Sequence, residues 1–162
     1  PFDWAEISFT GLVRNVGGIV YQDRMASVKF RPLEEGRWWP SVVLGSNDPL
    51  STVKTSADTD GNNSMCNFYL ALSKHFGTKA GTIGVHAAYR RFRKTANTRW
   101  NGLVGGLTFS PCFYPDARIT AEYDGAGFNI GADVKLFKHF NLQAICYGMR
   151  YFNCGICFEV NL

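Results

Sequence analysis

From Val20 onward, apolar residues alternate with polar or small ones in run after run, most cleanly over residues 119–124, 128–136 and 152–162. Successive side chains of a strand point to opposite faces, so each run has one greasy face and one wet face. The wet faces carry Arg118, Glu122, Asp124, Asp133, Lys135 and Glu159. A soluble sandwich would bury its apolar face, whereas a membrane barrel turns that face to lipid and encloses the polar one. Ten candidate strands follow from the pattern, at residues 4–13, 19–32, 38–46, 65–75, 82–92, 101–110, 117–124, 127–136, 140–149 and 152–161. Eight strands remain an alternative, because residues 1–18 alternate less cleanly and residues 149–152 leave little room for a loop. Compact connections at residues 33–37, 76–80, 111–116 and 138–139 contrast with longer loops at 47–64 and 93–99. Short turns on one rim and longer loops on the other match the outer-membrane arrangement, with both termini on the short-turn rim.

The faces predict two functional groupings. The polar face assembles Lys29, Arg31, Arg90, Asp116, Arg118, Glu122, Asp124, Asp133, Lys135 and Glu159 as a network lining the lumen. A two-residue hairpin loop at Gly125 and Ala126 would set Arg118 opposite Asp133, Asp116 opposite Lys135 and Glu122 opposite Asn129. With ten strands or fewer the lumen is narrow, so these side chains are expected to plug it. Trp38, Trp39, Tyr89, Trp100, Tyr123, Phe128 and Phe140 lie near strand ends, where aromatic rings form the girdles of membrane barrels. The fold expectation is all-β: a transmembrane antiparallel up-and-down barrel formed by one domain spanning residues 1–162.

Composition strengthens this picture. Charged residues make up 19% of the 162-residue chain and aromatics 15%, an oily balance for an ordinary soluble domain. The net charge of +4 is spread along the sequence, and the one dense cluster, Arg90, Arg91, Arg93 and Lys94, reads as a solvated loop base, not a nucleic-acid patch. No run approaches the ~18 apolar residues of a spanning helix, and barrels need none. Pro1 in place of an initiator Met suggests a processed chain or a fragment.

Specific chemistry is sparse. Five cysteines are present, and Cys154 and Cys157 have CxxC spacing, but within a strand they point to opposite faces, so the cysteines read as small apolar fillers. His86 could join Ser73 or Glu122 in a nucleophile system if their strands were neighbours; the plainer reading is a set of polar lumen residues. Asp58 opens a loop with calcium-like spacing, yet Tyr69 stands where the bidentate Glu belongs. No catalytic residue, cofactor or metal is expected.

One stretch is more specific. Leu33, Glu34, Glu35, Gly36, Arg37, Trp39, Pro40, Gly45 and Asp48 are followed by Ser73, Lys74, His75 and Phe76, by the glycine-rich residues 101–106, and by Ala121, Glu122, Tyr123 and Asp124. In order and spacing this resembles the YjbH-type outer-membrane barrel family over residues 19–162. The resemblance implies a bacterial outer-membrane location in a Gram-negative envelope and a link to exopolysaccharide or capsule secretion. Partners would be outer-membrane lipids, other envelope proteins and polysaccharide, without nucleic acid. Within the motif, Gly36 is expected to take positive φ in a tight turn, and Pro40 to lie near a strand start. The lead expectation is a non-enzymatic barrel component of an envelope or export complex. A lipid-modifying enzyme on the same scaffold and a soluble lipocalin-like barrel with an apolar interior are the rivals.

Overall fold

The computed structural model describes residues 2–16, 19–49, 66–93, 98 and 100–158. These form a single ten-stranded sheet: β1 (Ala5–Val16), β2 (Ile19–Leu33), β3 (Ser41–Asn47), β4 (Asn67–Gly77), β5 (Gly81–Phe92), β6 (Gly102–Pro111), β7 (Ala117–Tyr123), β8 (Phe128–Leu136), β9 (Phe140–Tyr147) and β10 (Tyr151–Phe158). Spatial order equals chain order, and every neighbouring pair is antiparallel. Ten strands therefore replace the eight-strand alternative. No helix among the described residues is long and apolar enough to cross a membrane. The sheet is open: β1 and β10 each have one unpaired edge, and no ladder joins them among the described residues. Ring closure is thus absent here, because alternation specifies two faces for each strand but not whether the outermost strands meet.

Register places the polar residues in rows. Ser41, Ser73, His86, Gly106, Glu122 and Asn129 face one another across six strands. One step away run His75, Gly84, Thr108, Thr120, Gly131, Ile145 and Asn153. The hairpin at Gly125 and Ala126 forms as expected, pairing Arg118 with Asp133 and Glu122 with Asn129, while Lys135 N–H donates to the Asp116 carbonyl. Residues from β1 and from β7 line one common cleft on this side, so the sheet curls with its polar face concave.

The opposite face is apolar and uncovered. Leu107 is 54% exposed, Ile130 46%, Ile119 53% and Phe152 74%, whereas the only buried hydrophobic residues among those described are Cys66 and Phe92. Burial is thus the reverse of a sandwich core, with polar Asn129 at 1% exposure.

The connections depart from the sequence reading in three places. Trp38 precedes β3 instead of opening it, lying in the β2–β3 connection at 80% exposure; Pro40 immediately before Ser41 explains the late start, since a proline cannot donate to the ladder. Gly36 does not take positive φ. Its missing Cβ is needed for another reason, because that atom would lie 2.4 Å from the Trp39 ring. Third, loop lengths do not divide cleanly by rim: the short loops around Gly125 and Gly148 share the rim of the long residue 48–66 connection.

Two hairpins use type I′ turns, with positive φ at Phe137 and Lys138 and again at Gly148 and Met149. Three of those four positions carry side chains that oppose the left-handed conformation. Replacing Phe137 and Lys138 by Asn and Gly is expected to stabilise the protein by about 1–2 kcal/mol, read as a raised denaturation midpoint with unchanged slope.

Candidate polar face and its two clusters

Near the β7–β8 turn, Asn129 is the hub of the first cluster. Its Nδ2 donates to Glu122 Oε1 (3.0 Å) and Asp124 Oδ2 (3.2 Å), while its Oδ1 accepts from Gly148 N–H (2.7 Å). The turn itself is tied by Asp124 Oδ1, which accepts from Ala126 and Gly127 N–H, both at 2.8 Å. Burial by itself would raise the Asp124 pKa; the two backbone donors, with Tyr147 and Asn129, outweigh it and hold the carboxyl at about 2. Arg90 Nε donates to the Trp100 carbonyl (2.8 Å), and its Nη2 to the Asp124 carbonyl. The ring of Trp100 stands 5.8 Å from that of Phe92, whose position belongs to the concave row. Trp100 is therefore placed apart from the outward-facing aromatics.

The second cluster lies toward the β2–β3 connection. Glu35 Oε1 accepts from His75 N–H (2.8 Å) and lies 3.1 Å from Lys74 Nζ, while Oε2 is 2.6 Å from His75 Nδ1. The His75 and His86 rings meet edge to face at 5.4 Å. His86 in turn holds Ser73 Oγ at Nδ1 (2.8 Å) and Thr108 Oγ1 at Nε2 (3.1 Å). Gly84 makes this convergence possible, because a Cβ there would lie 2.3 Å from Thr108 Oγ1, 2.8 Å from His86 Nε2 and 3.0 Å from His75 Cδ2. Adjacent pairing of β4 and β5 brings His86 to Ser73, which the sequence left undecided. Glu122 lines a cleft with both, without a direct bond to His86.

His75, through its side chain and its backbone N–H, is the main cause that holds Glu35 at about 2, well below its ordinary 4.5. A lowered carboxyl contributes stability in full above about pH 4.5 and loses it as pH falls toward 2. Trp39 fluorescence in a Trp4, Trp38 and Trp100→Phe background is expected to change over that window, and Glu35→Gln is expected to abolish the change.

The remaining polar-face residues form compensated pairs: Lys29 with Glu6 (2.6 Å), Arg31 with Glu34 (3.0 Å) and Arg118 with Asp133 (2.9 Å). Asp116 and Lys135 meet through the backbone bond given above. Glu159, Lys94 and the loop beginning at Asp58 lie outside the described residues. Trp38, Trp39 and Phe140 stand at the rim of the β2–β3 and β8–β9 connections, and Tyr89, Tyr123 and Phe128 at the opposite rim, with Tyr123 and Phe128 in ring contact at 5.2 Å. Sequence reasoning did not single out Tyr147, and it took Glu35 as a turn residue; the structure makes both members of the polar clusters. Among the described residues all five cysteines are free, with Cys154 and Cys157 on opposite faces, and no group of three His, Cys, Asp or Glu is arranged to hold a metal. Side chains leave clefts of about 470 and 290 Å³ along β7–β10 and β4–β7.

Comparison with protein-family models, curated proteins and solved structures finds no match to any of them.

Proposed function

We propose that this chain is a bacterial outer-membrane β-barrel that acts, without catalysing a reaction, as a structural or accessory component of an envelope or exopolysaccharide-export complex of the YjbH type. The observation that carries the reading is the inversion of faces: an uncovered apolar surface runs over all ten strands while ionic pairs occupy the concave side. Hydrocarbon accepts such a surface, and water penalises it by roughly 25 cal/mol per Å². Aromatics near both rims, Phe140 and Trp39 at one and Tyr89 and Phe128 at the other, suit two headgroup layers. In a bilayer β1 and β10 must meet, because unpaired backbone groups in hydrocarbon cost several kcal/mol each. Closure then gives a narrow, plugged barrel whose role is exercised through lipid, protein and polysaccharide neighbours.

Membrane fractionation tests this. Recovery in the outer-membrane fraction, resistant to carbonate washing and released by detergent, is expected; recovery in the aqueous fraction overturns it. Planar-bilayer conductance is expected near zero. The contact between His86 Nδ1 and Ser73 Oγ favours a second reading, a lipid-modifying enzyme. Against it, Thr108 occupies the other ring nitrogen where a carboxylate would steady an imidazolium. Under the lead reading a fluorophosphonate leaves Ser73 unlabelled, and stoichiometric labelling lost in His86→Ala would establish the enzyme. A lipocalin-like barrel needs apolar residues on the concave side, which here is polar.

A further inference from the structure

The sheet presents its turns at two rims, and the rims differ. One rim gathers the β2–β3, β4–β5, β6–β7 and β8–β9 connections. Three of these four turns carry a bulky aromatic residue that almost nothing covers: Trp38 is 80% exposed, Phe113 86% and Phe137 85%. The two described short turns of the opposite rim, residues 124–127 and 148–150, hold no aromatic side chain. Arg37, Lys79 and Lys138 also belong to the turns of the first rim, and all three are exposed. Among the described residues none of them lies within ion-pairing distance of a carboxylate, and Arg37 stands over the Trp38 ring at 5.2 Å. Of the carboxylates in these turns, Glu34 and Glu35 are already held by Arg31, Lys74 and His75, which leaves Asp116 against three cations.

Keeping these side chains in place works against folding. Phe137 and Lys138 both take the left-handed conformation, with φ of 51° and 64°, in a turn that Asn and Gly would fill with less strain. Phenyl rings left so exposed gain nothing from burial within this chain. Strain and exposed apolar rings on one rim mark a surface that meets something else. Spacing narrows the choice of partner. Successive turns of one rim are two strands apart, about 10 Å, so the aromatics form separate points and not one pocket. A peptide or folded partner finds no groove between them, and Phe113 and Phe137 have no polar atom with which to hold a sugar. A headgroup layer fills such gaps by itself. Depth agrees: β7 to β10 have 7–9 residues each and span roughly 18–23 Å at the tilt of a membrane barrel, so their turns lie among the phosphates.

We propose that this turn rim binds the headgroups of anionic phospholipids, with Arg37, Lys79 and Lys138 on phosphate oxyanions and Trp38, Phe113 and Phe137 in the acyl boundary beside them. The proposal rests on the membrane reading above and adds to it the charge of the lipid and the rim that meets it.

The test inserts the whole chain into phosphatidylcholine vesicles with a trace of spin-labelled phosphatidylglycerol or spin-labelled phosphatidylcholine. The immobilised fraction in the paramagnetic resonance spectrum gives the association constant of each. A preference of at least about threefold for phosphatidylglycerol is expected at low salt, falling toward one in about 1 M salt. The triple variant Arg37→Gln, Lys79→Gln, Lys138→Gln is expected to bring the ratio to about one, and Arg150→Gln on the opposite rim to leave it unchanged. The turn variant Phe137→Asn, Lys138→Gly is expected to lower the ratio while raising the denaturation midpoint, which separates lipid binding from folding. With Trp4, Trp39 and Trp100 replaced by Phe, Trp38 is expected to be quenched more by lipid brominated near the top of its chains than by lipid brominated at their ends. A parent ratio near one, a ratio that survives the triple variant, a loss in Arg150→Gln as large as in that variant, or the reverse order of quenching overturns the proposal. Should the triple variant fail to insert, the turn variant decides, and an unchanged ratio overturns it. A parent chain removed by carbonate washing overturns the membrane reading and this proposal with it, whereas a chain that inserts and shows no preference overturns this proposal alone.

Discussion

On the proposed membrane reading, Leu107→Arg is expected to destabilise the protein in lipid by about 2–4 kcal/mol, the penalty for a guanidinium facing mid-bilayer hydrocarbon. Leu107 lies in the middle of β6, paired with Val85 and Ala121, on the apolar surface, and is 54% exposed. The size of the effect separates two environments. An arginine at a half-exposed position in water changes stability within about 0.5 kcal/mol, because its charge stays solvated. Thr120→Arg is the control, since Thr120 lines the 470 Å³ cleft beside Glu122 and Asp133 and offers the new cation space and opposite charge. Reversible denaturation from vesicles should therefore show a large loss for Leu107→Arg and less than about 1 kcal/mol for Thr120→Arg. Equal, small losses at both positions would remove the argument for lipid on the apolar side.

Asn129→Ala is expected to cost about 3–5 kcal/mol in the same measurement. The asparagine is 1% exposed, and its amide is the shared donor for Glu122 and Asp124 while its oxygen accepts from Gly148. Truncation leaves two carboxylates facing each other without the amide between them, and one backbone N–H without its acceptor. Asn129→Asp is expected to be worse at neutral pH, because it adds a third carboxylate where a donor stood, and to recover partly in acid as that group takes up a proton. Ala and Asp variants that melt like the parent would show that the hub is solvated and not a structural tie.

Much of this arrangement was legible in the sequence because a two-residue period is a strong signal wherever one face is greasy. Gly125 and Ala126 fixed the β7–β8 register in advance, since a two-residue loop leaves a single way to pair Arg118 with Asp133. The β9–β10 turn was harder to see: Met149 takes positive φ without the Asn-Gly signature that marks such turns. The meeting of His75 with His86 was not visible at all, because it depends on the diagonal between β4 and β5 and on the space left by Gly84. Ring closure escaped for a different reason. Alternation is a property of each strand alone, whereas closure depends on accumulated curl and stagger, which no residue spells out.

The strictly sequential strand order carries a consequence for assembly and descent. Each ladder joins segments adjacent in the chain, so loop-closure entropy stays small at every step and the sheet can zip up hairpin after hairpin during synthesis or insertion. Closure of the proposed barrel would be the lone exception, because joining β1 to β10 is the pairing most distant in sequence, and it would be the slow, final event. The same modularity means that a hairpin gained or lost would leave all other pairings intact and simply change the number of strands across the sheet.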